Sequence, residues 1–166
     1  MAAGSTYTPI ATATASGSQP TITFSSISGS YTDLVLIYSA KDGTAGAEGN
    51  ILISFNSDSG SNYSWTNLYG NGSAAGSTRL TNQTSIYAYC AGNTSSLEAG
   101  TFQVMNYSNT TTYKSTLNRG NVASTAVVAR AGLWRSTSAI TRMDLTSSSG
   151  NFASGSTFTL YGIQAA

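Results

Sequence analysis

Runs of residues in which every second side chain is apolar recur along this chain, and they constrain its fold more than any other feature. Ile51, Ile53 and Phe55 form one such run. A repeat of two places side chains alternately on the two faces of a β-strand, whereas an α-helix needs apolar residues three and four positions apart. No window of the chain combines that helical spacing with good helix formers and capping residues. The sequence therefore predicts strands throughout.

The predicted strands are short, and Ser, Thr, Gly and Asn fill the segments between them. About eight to ten such strands without intervening helices indicate an all-β protein, an antiparallel β-sandwich or barrel. A jelly roll fits the chain length best, and an immunoglobulin-like sandwich is the main alternative. The predicted strands cover residues 22–27, 34–38, 51–56, 63–69, 85–91, 101–107, 113–118, 126–134, 140–146 and 157–163.

The composition argues against several classes of function. Only 8% of the 166 residues are charged, and seven basic residues against six acidic ones leave a net charge of +1, so we expect no nucleic-acid partner. The chain has no His and a single Cys, which excludes an internal disulfide and deprives most acid–base, nucleophilic and metal chemistry of its usual residues. No segment is long and apolar enough to suggest a membrane span. We therefore expect neither an enzyme nor a bound metal or cofactor.

The first 20 residues differ from the rest of the chain, which we assign to a sandwich domain of residues 21–166. Ala, Thr and Ser dominate this segment, and both prolines of the chain lie in it. We expect an extended N-terminal arm that cannot bury much surface on its own sheet, and that is therefore mobile or lies across a neighbouring subunit. Tyr7, Pro9 and Ile10 are the candidate subunit contacts.

Aromatic residues make up 10% of the chain, enough to raise the question of stacking against sugar rings. Tyr63, Trp65 and Tyr69 lie on one face of a single predicted strand and are the best candidates for such glycan binding. Residues 57–62 and 70–79 would then be loops that contact the glycan. The alternative is that these aromatic residues belong to the core and to cross-strand pairs.

The few charged residues form no strong catalytic or metal-binding motif. Asp42 and Glu48 flank a Gly-rich turn, where acidic residues are common because turns are solvated. The segment 58–62 resembles a calcium loop but lacks the further carboxylates and the closing Glu that a stable site requires, so we predict a turn. Rim salt bridges at a subunit contact explain three arginines better than a phosphate site does. These are Arg130, Arg135 and Arg142.

Seven strings of the sequence carry a resemblance that spans nearly the whole chain. They are YTPI at 7–10, ITFSSI at 22–27, YTDLVL at 31–36, NYS at 106–108, YKS at 113–115, GLWRSTSAIT at 132–141 and FASGSTFTLYGI at 152–163. In these strings the chain resembles small β-rich virion structural proteins of tailed bacteriophages, especially those of aquatic and cyanobacterial hosts.

The resemblance implies a structural role without a cofactor. The family domain occurs as a module of long tail fibres and as a small free-standing protein. The chain begins at Met1 and has no fibre shaft, coiled-coil heptads or collagen-like repeat, which favours the free-standing form. We therefore expect a capsid decoration or cement protein on the outer surface of the virion, a homotrimer whose other partner is the major capsid protein. A tail-fibre or receptor-binding tip is the alternative, ahead of a non-viral carbohydrate-binding module and an enzyme.

Overall fold

The computed structural model describes residues 6–43, 49–89, 97–122 and 126–164. This part of the chain contains twelve β-strands and no helix. The strands are β1 (Tyr7–Thr14), β2 (Thr21–Phe24), β3 (Asp33–Ala40), β4 (Asn50–Phe55), β5 (Tyr63–Gly70), β6 (Ala75–Gln83), β7 (Ile86–Tyr89), β8 (Glu98–Val104), β9 (Lys114–Val122), β10 (Ala126–Trp134), β11 (Met143–Ser147) and β12 (Thr157–Ile163).

The strands form two antiparallel sheets that pack as a sandwich. The large sheet has eight strands in the order β1-β12-β3-β8-β9-β10-β5-β6, and the small sheet has four in the order β2-β11-β4-β7. Neighbouring strands in both sheets run antiparallel. The predicted all-β antiparallel sandwich is therefore confirmed, and the arrangement is compatible with a jelly roll.

Alternation along the strands places one face of each sheet in the core. In β4, Ile51, Ile53 and Phe55 are fully buried, and the residues between them are half-buried. Phe55 meets an aromatic pair of the large sheet, with its ring centroid 5.4 Å from that of Trp134. The Trp134 ring in turn stacks on that of Tyr63 at 6.2 Å. Because such rings remove a large apolar area from water, this cluster is a main contact between the two sheets.

The N-terminal segment lies on its own sheet. β1 pairs with β12 at one edge of the large sheet. Ile10 and Ala13 pack against the core, and Ala15, just after the strand, is buried and exchanges backbone hydrogen bonds with residues 155–156. These contacts correct the expectation of an arm that is mobile or lies across a neighbouring subunit, because the segment finds both hydrogen bonds and apolar contacts within its own chain.

β6 occupies part of a segment that the sequence suggests is a loop, residues 70–79. The strand begins at Ala75 and forms a hairpin with β5. In the turn, the Asn71 backbone N–H donates to the Ala74 carbonyl at 3.0 Å, and the Asn71 side-chain oxygen accepts from the Ala74 N–H at 2.7 Å. The predicted loop is therefore a short turn followed by an edge strand.

Candidate functional site

The outer face of the large sheet, which points away from the small sheet, carries no second layer in the described part of the chain. Its side chains alternate with those of the core. In β3, for example, Leu36 and Tyr38 are buried in the sandwich and Ile37 between them is 43% exposed. In the other long strands, the same alternation assigns every second side chain to the outer face.

Large apolar side chains are exposed across this outer face. Val127 of β10 is 71% exposed, Leu68 of β5 57% and Leu117 of β9 41%. Leu68 and Val127 also line an open apolar hollow of about 590 Å³ at the shared ends of β5, β6, β9 and β10. A smaller hollow of about 220 Å³ lies further along the same strands, beside Thr66 and Leu133. The outer face is therefore uneven as well as apolar, a shape that suits a complementary protein surface.

Charges are sparse on the outer face. Arg119 of β9 lies between Thr101 and Ala129 on the neighbouring strands, and Arg79 lies on β6 opposite Thr66. The other neighbours of the exposed apolar side chains on the described strands are mostly Thr, Ser, Ala and Gln. Since few groups on this face require strong hydration, covering it with another surface has a low desolvation cost.

The aromatic residues proposed for glycan stacking do not form one platform. Tyr63 is fully buried and Trp65 is 6% exposed, so neither ring offers a free face to a sugar. The glycan interpretation is corrected for these two residues, which belong to the core because the small sheet covers this part of β5. Tyr69, further along the same face of β5, is 37% exposed, and its ring lies over Gly76 on the side of the sheet opposite the exposed Leu68.

The segment 58–62 is organised by the Asp58 carboxylate. It accepts hydrogen bonds from the Trp134 indole N–H at 2.7 Å, the Asn62 side-chain N–H at 3.0 Å and the Gly60 backbone N–H at 2.9 Å. Burial by itself would raise the pKa of Asp58, but these three donors outweigh it and hold the pKa below its ordinary value. The carboxylate oxygens are directed to N–H donors, which fits the predicted turn and does not fit a calcium loop.

Arg130 is a buried cation that sequence analysis placed at a rim. It is 2% exposed on the inner face of the large sheet, and its guanidinium donates to the Tyr87 carbonyl at 2.6 Å. The guanidinium carbon lies 4.3 Å from the centre of a Trp65 ring and 4.8 Å from that of Tyr89. Burial lowers the pKa of Arg130, partly offset by the neighbouring tyrosines. The cation–π contacts stabilise this charge where water does not reach it.

The other charged residues that sequence analysis singled out are bound within the chain. Arg142 forms a bidentate ion pair with Asp144 at 2.8 Å, in place of the expected salt bridge across a subunit contact. Arg135 donates to the carbonyl of Ser61. The buried Asp42 accepts from the Ser147 hydroxyl at 2.5 Å. Its proposed companion, Glu48, lies outside the described residues.

The candidate arm contacts separate into two groups. Ile10 packs against the core of its own chain and is only partly accessible to a partner. Tyr7 is 52% exposed at the edge of the large sheet, where its ring meets that of Tyr161 edge-on at 6.0 Å. Pro9, also exposed, pairs with Tyr161 at a register shift of β1. Tyr7 and Pro9 thus stay accessible on the edge that β1 forms.

The described ranges hold neither a cluster of metal-binding side chains nor a helix that could span a membrane. No group of three or more His, Cys, Asp or Glu residues lies close enough together there to hold a metal ion. Nor does this part of the chain contain a helix whose length and apolarity would suit a bilayer crossing.

Comparison with known proteins identifies no family for the chain. No protein-family model matches it, and no curated protein is similar to it at a significant level.

Proposed function

We propose that this chain is a virion structural protein of a tailed bacteriophage, a capsid decoration or cement protein that docks on the outer shell through the outer face of its large sheet. The observation that carries the proposal is the exposure of Val127, Leu68, Ile37 and Leu117 on a weakly charged sheet face. Leu68 and Val127 lie together at the larger hollow, and exposed apolar surface of this kind on a monomer is typical of a protein interface. The phage context comes from the resemblance of the sequence strings.

The dimensions of the outer face suit this role. Eight strands about 4.8 Å apart, each about eight residues long, give a surface of roughly 1,000 Å². That is enough for what one partner contributes to a specific protein interface, about 800 Å². Repeated docking on neighbouring capsid subunits would strengthen moderate single contacts through high effective concentration. The homotrimer and the major capsid protein as partner belong to the same proposal.

The proposal is tested by the position and copy number of the chain on intact virions of the phage that encodes it. We expect hundreds of copies, or at least many per particle, on the outer shell. Particles from which the chain has been removed should bind the purified protein again, and Val127→Lys should weaken this binding at least about tenfold. Thr21→Lys, an exposed position on β2 of the small sheet, is the matched control and should bind normally. Absence from virions, or equal binding of the two variants, would refute the docking face.

The alternative, a tail-fibre tip that contacts a host glycan, is favoured by one observation. Tyr69, on the core-facing side of β5, is 37% exposed, so that one member of the aromatic set is accessible to a sugar. A few copies at the tail, together with glycan binding that Tyr69→Ala abolishes, would replace the cement proposal with this one.

A further inference from the structure

The edge strands of the two sheets differ in how well they are protected against pairing with a further strand. β1 and β6 form the edges of the large sheet, and β2 and β7 form those of the small sheet. An edge strand presents unpaired backbone N–H and C=O groups to which another strand can add, so proteins usually shorten or interrupt their edges. β2 and β7 have four described residues each. β1 contains Pro9, and its register shifts between Pro9 and Ala11.

β6 lacks this protection over most of its length. It has nine residues, nearly all of them exposed. Its pairing with β5 is regular from Ala75 to Leu80, and the irregularity comes only beyond Leu80, where Asn82 has a positive φ of 55°. The regular segment contains no Pro and a single charged residue, Arg79. Ala75–Leu80 therefore offers an open edge about 20 Å long.

We propose that this edge pairs with the same edge of a second copy of the chain, antiparallel and about a two-fold axis at Thr78, so that two large sheets become one continuous sheet. In this register Thr78 faces its own symmetry mate. Arg79 lies opposite Ser77 of the second copy and not opposite the second Arg79. The pairing thus avoids placing like charges directly opposite each other, which would destabilise it.

Shape favours a second copy over an unrelated extended peptide. The Tyr69 ring can lie over Gly76 because glycine has no side chain. A Cβ built there would be 2.6 Å from the Tyr69 hydroxyl oxygen. In the proposed register Leu80 of one copy lies beside Gly76 of the other, at the edge of that Tyr69 ring. Leu80 and Tyr69 are each 37% exposed in the single chain. The contact would cover both of them twice, once on each side of the axis.

The contact is expected to be weak on its own. Edge pairing over six residues buries less than the roughly 1,200 Å² of total surface that stable specific interfaces exceed. Molecules held close together on a surface would form it far more readily, because linkage raises their effective concentration. The pairing does not depend on the virion role, since it concerns the free protein.

The first test is sedimentation equilibrium of the purified protein from roughly 10 µM to 1 mM, a range suited to a small interface. We expect concentration-dependent association of the wild type. Thr78→Lys places two ammonium groups opposite each other at the axis and should weaken association at least about tenfold. Thr12→Lys is the matched control, because Thr12 is an exposed threonine on the other edge strand, β1. A mass that does not change with concentration, or equal effects of both variants, would overturn the proposal.

The second test reports the register and is insensitive to association through other surfaces. In a Cys90→Ser background, Thr78→Cys should form a disulfide with its symmetry mate under mild oxidation, because directly opposed Cβ atoms of paired strands lie within bridging distance. Thr12→Cys in the same background should not. Failure of Thr78→Cys to form more cross-linked dimer than Thr12→Cys would contradict the two-fold pairing.

Discussion

At the scale of single residues, the structure depends on a few groups whose neighbours are distant in sequence. Asp58 is the clearest example, because one carboxylate joins its own turn to Trp134 on β10. Sequence analysis correctly reads the segment 58–62 as a turn, from its Ser, Gly and Asn content. It cannot show that the indole N–H of a residue 76 positions away completes the turn.

We predict that Asp58→Ala lowers the free energy of unfolding at pH 7 by about 2–3 kcal/mol, because three N–H donors lose a charged acceptor. Ser59→Ala, at the exposed neighbouring position, should change it by less than about 0.5 kcal/mol. Urea unfolding of the two variants measures the difference. Equal stability of both variants would show that the Asp58 hydrogen bonds contribute nothing net.

Asp58 should also make the stability of the folded protein depend on pH, with less stability in acid. The folded-state pKa of Asp58 lies below the ordinary 3.8, so as pH falls the unfolded chain takes up the proton first. The stability that Asp58 contributes is present above pH about 4 and is lost as pH falls through the folded-state value. The gap between wild type and Asp58→Ala should therefore narrow in unfolding curves recorded from pH 5 to pH 2.

Gly100 offers a second test at the residue scale. The Tyr38 side chain lies directly over this glycine, and a Cβ built there would overlap the phenol ring. Gly100→Ala should therefore destabilise the fold by about 1–3 kcal/mol, the usual range for overpacking. Gly70→Ala is the control, because a Cβ at Gly70 would meet nothing within 4 Å. Thermal unfolding compares the two, and a similar melting temperature for both would contradict the packing of Tyr38 over Gly100.

At the scale of elements, sequence analysis missed two strands, β1 and β6. Each was missed because its apolar residues do not follow a regular repeat of two. In β1 the register shift between Pro9 and Ala11 interrupts the repeat of two, so the inward residues Ile10 and Ala13 are not an even number of positions apart. β6 is exposed on both faces and needs no alternation. Neither strand shows in its sequence the repeat of two from which β4 and β10 could be predicted.

Because β1 belongs to the sheet of its own chain, its inward and outward side chains should differ in their effect on stability. We predict that Ile10→Ala lowers the free energy of unfolding by about 1–2 kcal/mol, since Ile10 is partly buried against the core. Tyr7→Ala, which removes a side chain that is 52% exposed, should have a much smaller effect. Chemical unfolding of both variants makes the comparison. The opposite order would indicate that the segment is held mainly by its edge contact with Tyr161.

At the scale of the whole molecule, burial leaves even fewer charged groups at the surface than the composition suggests. Asp42, Glu98, Lys114, Arg130 and Asp144 are all buried although the chain has only seven basic and six acidic residues. Lys114, for instance, donates to the carbonyls of Thr112 and Thr137 at 2.8 and 3.2 Å. The charged groups thus serve largely as internal hydrogen-bonding partners. The outer face is left weakly charged, which suits the docking role that we propose for it.

The location of the candidate site could not be predicted from the sequence. The low charge and the lack of His and multiple Cys pointed to binding and not to chemistry, and the structure adds the surface on which a binding proposal can be placed. Tyr63 and Trp65 could not be told from exposed aromatics, because all three residues of the set share one face of β5. Only the position of the small sheet, which covers Trp65 and stops short of Tyr69, separates the buried pair from the accessible one.

The sequence by itself determined that this chain builds antiparallel sheets with a shared core, because a repeat of two in the apolar residues is a local property that the backbone of a strand converts directly into two faces. Which face stays open, which edge strand is left unprotected and where Arg130 and Asp58 find their partners were decided only in the tertiary structure. These features depend on how far one sheet overlaps the other and on contacts between residues many tens of positions apart, and neither leaves a periodic signal in the chain.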